Sequence, residues 1–394
     1  MPTEWQDQAE VVVIGAGIHG MSTAYNLAAR GCPNVVVVEK GSIGSGATGR
    51  SGGIVRQQYT NAPMIELAMR SRQIFETLQH EIGGDPGFVQ NGYIFLATER
   101  EARGLEYVVA TQQRLGIKSD LVPFSVVREI FPDINLEGIA LAAFERDSGY
   151  AEPQSTLMAY VDKARELGVK IHQDTRVVNL LTSNGRMTGV ETTRGKIRCE
   201  HVVAAAGPWN SQICAMARIS LPFRFIRLQE AVVRPVDGYS KFLPTLHCEK
   251  RVLYVRPETG GLVLGGGTPK AEEQWDHPDR FRETADPEFV VEFAQALSAT
   301  MNRFANADFV RGWAGIGGMT PDNHPVIGAL PGASRLWLAA DSSHGFKLGP
   351  VMGRLMAELI LLGRTETMDI QPFSYSRFAE GETFKSKYTN FPWF

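Results

Sequence analysis

Apolar residues follow two patterns along this chain. Val11-Val12-Val13-Ile14 and Val35-Val36-Val37-Val38-Glu39 are near-continuous apolar runs, which predict short strands buried on both faces, as in a parallel sheet. Between them, Met21, Ala24, Tyr25, Leu27 and Ala28 recur at helical spacing over residues 18–30, and Gly31 stops the pattern. Together these segments predict a strand–helix–strand unit. Two more buried strands are predicted at 201–206 and 335–340, the second leading into a helix at about 350–362. Elsewhere the runs alternate, at 89–97, 138–144, 223–234, 252–256 and 261–265, which predicts half-buried strands. Helical periodicity marks 62–80, 100–116, 155–167 and 287–303.

That division predicts an α/β protein with two sheets. One is a parallel, Rossmann-like dinucleotide-binding domain assembled from the discontinuous segments 1–85, 150–220 and 305–365. The other is an inserted α+β domain on a largely antiparallel sheet, from 86–149 and 221–304, with 366–394 as a C-terminal extension. A length of 394 residues agrees with more than one ordinary core.

Composition narrows the function classes. With 43% hydrophobic and 21% charged residues the chain is expected to be globular. A net charge of -3 gives no broad attraction to nucleic acid or anionic membrane. No run reaches the roughly 20 apolar residues of a membrane helix, and residues 1–10 do not open like a signal peptide. Four separated cysteines (Cys32, Cys199, Cys214, Cys248) lack metal-ligand spacing and read as reduced structural thiols. The eight histidines form no HxH or HExxH pair, so a metal hydrolase is not expected. His324, in Asp322-Asn323-His324-Pro325, reads as part of a turn. A cytoplasmic protein is expected.

The chemistry-bearing motif joins the first strand to the first helix. Gly15-Ala16-Gly17-Ile18-His19-Gly20 is GxGxxG. Gly15 permits the tight turn, Gly17 lets a pyrophosphate approach the backbone, and Gly20 lets helix pack on strand. The helix N-terminus adds N–H groups and partial positive charge for the phosphates. Glu39 ends the second strand, where a carboxylate suits ribose hydroxyls and disfavours a 2′-phosphate. This motif serves NAD and FAD alike. FAD is favoured by the Gly/Ser-rich segment 41–50 running on from Glu39, and by Ala206-Gly207 closing a late strand.

With Val13-Ile14-Gly15-Ala16-Gly17, Glu39, residues 49–59, Ala205-Ala206-Gly207-Pro208-Trp209, Arg311-Gly312-Trp313-Ala314-Gly315, Thr320-Pro321-Asp322 and His344-Gly345-Phe346-Lys347, the chain resembles the D-amino-acid oxidase superfamily of FAD oxidoreductases. Within it, the likeness is to the sarcosine oxidase (beta subunit-like) and glycine oxidase branch. The resemblance implies FAD above a substrate domain, and oxidation of an amine or amino acid (N-methyl, D-, cyclic or opine-type). Hydride passes to flavin N5, and the resulting imine hydrolyses. It marks Arg56 and Lys347 as the pair gripping a substrate carboxylate, Tyr254 as lining that pocket and His344 as lying beside the flavin. Lys347, expected just before a helix starting near Gly349, has a second candidate role in stabilising charge on reduced flavin. Cofactor contacts are expected from Gly15 to Gly20, Glu39, Lys40, Gly46, Ala47, Thr48, Arg50, Ser51, Gly52, Val177, Ala206, Gly207, Trp209, Gly315, Gly345, Phe346 and Lys347.

Departures from the family pattern limit the reading. Gly315 stands where sarcosine oxidase carries the cysteine that bonds flavin, so non-covalent FAD is expected. Gly49 and Gly53 replace a histidine and an arginine over the flavin, and Val263 replaces an oxygen-activating lysine, leaning toward a dehydrogenase. Gly317 replaces the arginine with which glycine oxidase holds carboxylate. No histidine near Pro153-Gln154 supports a second flavin. The amine must be neutral to release hydride, so the rate is expected to rise with pH. The electron acceptor is O2 or a separate carrier, and a homo-oligomer or a subunit of a complex both stay open. The alternatives are an FAD-binding subunit of a larger amine dehydrogenase complex, and a nicotinamide-dependent dehydrogenase.

Overall fold

The structure, a computed structural model, describes residues 5–267 and 274–384. The apolar residues 390–394, which the sequence suggests as a docking segment, lie outside them.

The all-valine strand Val35–Val38 is buried at every position, as a strand covered on both faces must be. It pairs in parallel with Gln8–Ile14 on one side and Lys170–His172 on the other. Gln8–Ile14 pairs in parallel with Gly195–Ala204, which in turn pairs with Leu336–Ala340. Val326–Ala329 closes the edge antiparallel. Among the described residues these strands and the hairpin Val177–Ser183/Arg186–Thr192 form one eight-stranded sheet. The strand expected at 201–206 begins earlier, at Gly195. Its first residues alternate in polarity because they pair antiparallel with that hairpin outside the doubly covered core.

Helix Ile18–Ala29 packs on this sheet beside helix Gly345–Leu362. Gly345, Gly349 and Gly353 recur every fourth residue and so share a face. A Cβ at Gly349 would fall 2.4 Å from Ile18 Cγ1, and one at Gly353 would fall 2.2 Å from Ser22 Oγ. Only glycines allow this approach, and His19 Nε2 meets Gly345 O at 2.9 Å. The helix therefore starts at Gly345, not near Gly349, and Lys347 lies in its first turn. Pro350 sits inside the helix, where it has no N–H to donate to the carbonyl of Phe346 one turn earlier.

A second sheet, nine-stranded among the described residues, is antiparallel except where Thr245–Cys248 pairs with Tyr93–Ala97. Arg224–Arg234 is flanked by Leu262–Gly267 and by Asp308–Met319. The last strand joins this sheet, although the expected boundaries group it with the dinucleotide-binding segments. Its glycines, Gly312, Gly315, Gly317 and Gly318, hide the strand pattern in sequence. Helix Pro287–Thr300 covers one face, where Phe293 and Leu297 cluster with Ala231, Val233, Val255 and Val263. Val263 is fully buried there, and the two-residue period of its strand turns it from the opposite face. The residue at the expected oxygen-activating position thus meets core rather than cavity. Among the described residues no helix is long and apolar enough to cross a membrane.

Candidate active site and cofactor cavity

A cavity of about 820 Å³ is lined by residues of both sheets. One end is the GxGxxG turn. Gly15 has φ +108°, and a Cβ there would lie 2.6 Å from the Ala205 carbonyl oxygen. A Cβ on Gly17 would approach Thr48 Oγ1 to 3.1 Å, and that oxygen also accepts the Ile18 N–H at 3.1 Å. Gly17 caps helix Ile18–Ala29 without a side chain, leaving the helix N-terminus facing the cavity as an anion site. Ala16 N–H and Gly41 N–H donate to the two oxygens of Glu39 at 2.8 and 2.9 Å. Each carboxylate oxygen still has a lone pair to accept a hydroxyl.

The loop after Glu39 is held over the cavity by charge. Lys40 Nζ lies 2.8 Å from Asp279 and 3.6 Å above the Trp209 ring, whose Nε1 donates to the same carboxylate at 2.6 Å. Arg50 pairs with Glu283 at 2.8 Å and donates to the Ser45 and Gly46 carbonyls. Asp279 and Glu283 thereby strap residues 278–283 to the loop after Glu39 and to Trp209.

At the other end, three residues singled out in sequence meet around one ring. The Arg56 guanidinium lies 4.6 Å from the Tyr59 ring centre and Lys347 Nζ 6.0 Å from it, and the His344 ring packs edge-on at 5.5 Å. Arg56 is buried and donates to the Gln58 carbonyl. Burial, with the nearby Arg56 charge, pulls Lys347 well below the usual lysine range, and Asp341 opposes this. The Arg56 charge in a shielded site favours an anionic ligand, and the ligand's charge in turn favours the protonated form of Lys347.

Tyr254 takes a different position. It donates to Glu230 Oε1 at 2.8 Å across the intervening strand. Of the residues expected to touch cofactor or substrate, all line the cavity except Ala16 and Gly20. Ala16 is occupied with Glu39, and a Cβ on Gly20 would fall 1.9 Å from Gly15 O, so Gly20 serves the helix–strand contact. Gly317 lines the cavity as well, but a Cβ there would lie 2.1 Å from Ser343 Oγ. An arginine does not fit without moving that loop. His324 is in a turn with Asn323 at φ +60°, as its sequence suggests, and it stacks on Phe384 at 4.1 Å.

Sequence reasoning missed Tyr93, Glu230, His247 and Glu249, which also line the cavity. His247 stacks on Phe95 at 4.8 Å and meets Glu249 at 3.0 Å. Burial alone would raise the Glu249 carboxyl, but His247, Arg56 and Arg100 hold it below its ordinary value. Glu230 had a visible signal, an acid inside the apolar strand Leu228-Gln229-Glu230-Ala231-Val232-Val233.

The glycine cradle, the helix N-terminus, Glu39 and a cavity of about 820 Å³ fit an FAD better than a compact ligand. Comparison with known proteins agrees. The chain is 28% identical over 384 residues to sarcosine oxidase subunit beta of Rhodobacter capsulatus, covering 95% of this chain and 89% of that one. To the protein of that name in Rhizobium meliloti it is 30% identical, covering 94% and 89%. The crystal structure of L-proline dehydrogenase from P. horikoshii superposes with a TM-score of 0.89 at 30% identity, covering 96% of this chain and 100% of that one. The profile of FAD dependent oxidoreductases spans residues 10–359, and the chain whose dinucleotide turn and shielded cationic pocket share one cavity belongs to that family.

Proposed function

We propose that this protein oxidises the C–N bond of an amino acid or related amine, and that Arg56 and Lys347 bind the substrate's carboxylate. The observation that carries this is the convergence of these two cations on Tyr59 beside the N-terminus of helix Gly345–Leu362, in the cavity that also holds the dinucleotide turn. Bound FAD supplies the two-electron acceptor for hydride. The chain's residues do the rest. Arg56 and Lys347 fix the carboxylate, His344 walls the pocket, the buried Tyr59 ring backs the two basic side chains, and the strap at 278–283 covers the cofactor. The segments of the first sheet hold FAD, and the second sheet presents substrate. Gly315 in place of a linking cysteine makes the cofactor non-covalent. Four unbridged cysteines, all buried, support a cytoplasmic location.

A panel of N-methyl, D-, cyclic and opine-type amino acids mixed anaerobically with the yellow protein tests this reading. The compound that bleaches the flavin names the substrate class, and admission of oxygen then separates oxidase from dehydrogenase. If none bleaches it, the reading is wrong. The curated relatives named as subunits favour one second reading, an FAD-binding subunit that is reduced only when partner subunits are added.

A further inference from the structure

In the cavity wall lies a buried acid, Glu230, to which nothing above gives a role. Glu230, Gly266 and Tyr254 are register neighbours on three adjacent strands, so they share one face of the sheet. Gly266 leaves that face open, since a Cβ there would lie 2.6 Å from the Tyr254 hydroxyl. The phenol reaches across this gap to Glu230 Oε1 at 2.8 Å. On the other side Gly52 makes room in the same way, because a Cβ on it would lie 2.7 Å from Glu230 Oε1. Glu230 is 5% exposed, and its Oε2 has no hydrogen-bond partner among the described residues. An ionised carboxylate offers about four acceptor sites. Here protein donors fill few of them, which leaves the anion poorly solvated and ready to take a proton.

We propose that Glu230 accepts the proton of the substrate amine through Tyr254. This rests on the amine-oxidation reading above. In the step, an N–H bond of the substrate ammonium breaks and its proton passes to the Tyr254 oxygen. The Tyr254 O–H bond breaks at the same time, and its proton passes to the Glu230 carboxylate. The ammonium becomes a neutral amine, the carboxylate becomes a carboxylic acid, and tyrosine is regenerated. The freed nitrogen lone pair is what oxidation of the neighbouring C–H bond would require. Glu230 thus acts through Tyr254, as a positioning residue. Burial pushes its carboxyl up to about 7, opposed by the Tyr254 hydrogen bond and by Arg256. Arg256 is itself paired with Glu152 at 3.2 Å and Glu258 at 3.1 Å, so its charge is largely spent. The acceptor is accordingly empty above neutrality and filled below it.

Anaerobic stopped-flow on the FAD-loaded protein tests the proposal, using the panel compound that reduces it best. The limiting rate of flavin reduction should rise through a step near pH 7. Glu230→Gln should lower that rate by roughly 10²–10⁴-fold and abolish the step, Glu230→Asp should retain a step, and Tyr254→Phe should lose it. Infrared titration without substrate gives a reading independent of turnover. A protonated carboxyl band should vanish across the same pH range in wild type and be missing in yellow, folded Glu230→Gln. Reduction with an unchanged step in Glu230→Gln overturns this inference alone, as does the lack of a titrating band. Failure of every amine to reduce wild type overturns the reading beneath it, and this inference as well.

Discussion

Arg377→Ala is expected to destabilise the protein by about 3–5 kcal/mol, the range for stripping one partner from a buried ion pair. Arg377 and Asp322 side chains are each 2% exposed. The guanidinium donates to both Asp322 oxygens at 2.8 and 3.0 Å, and to the carbonyls of Phe373, Ser374 and His324 at 3.0–3.1 Å. Removing it strands a buried carboxylate and three carbonyls together. For 394 residues an unfolding entropy near 2.1 cal/mol/K per residue turns this into a Tm lowered by about 4–6 °C, read from flavin fluorescence of the loaded protein on heating. The pH dependence supplies a second check. Burial would raise Asp322, but Arg377 holds it below the usual carboxylate range. Its contribution is therefore complete above the unfolded carboxylate pKa and lost as pH falls through the depressed folded value. Without Arg377 burial dominates and Asp322 takes up a proton more readily, so the gap between variant and wild type should narrow on acidification. A Tm within about 1 °C of wild type, or a gap constant with pH, would refute this account of the pair.

Other outcomes are as definite. Gly15→Ala forces a side chain into a φ of +108° and against the Ala205 carbonyl, so the purified protein should be colourless, and normal FAD content would count against the cradle. Arg56→Ala should raise KM for a carboxylate substrate by roughly 30- to 150-fold, the equivalent of about 2–3 kcal/mol, with a smaller effect on its decarboxylated analogue. Lys347→Met should lower the flavin midpoint potential by removing a cation, and an unmoved potential would assign Lys347 to substrate alone. Acid precipitation should leave all the flavin in the supernatant, since Gly315 has no sulfur to bond it.

The sequence made the dinucleotide half readable because its signals are local. Val11–Ile14, the glycine turn, helix 18–29 and Glu39 lie within one short stretch, and each follows a fixed period. The Arg56–Lys347–His344 group was readable only through resemblance, since 290 residues of chain lie between Arg56 and Lys347 and no period links them. Asp308–Met319 and the 177–192 hairpin escaped notice because glycine and polar residues interrupt their alternation. The Glu230–Tyr254 pair depends on register across Gly266, and register is a property of the paired strands that neither strand shows alone.

The central strand Gln8–Ile14 has one neighbour close by in the chain and the other, Gly195–Ala204, far downstream. At about 5–20 residues per second of synthesis, that second neighbour emerges roughly 10–40 s after the first strand. Throughout that interval one edge of a strand whose last four residues are all apolar stays unsealed, a template for pairing with other nascent chains. Yield in a cell should therefore respond to translation speed and chaperone supply more than to the strength of the finished fold.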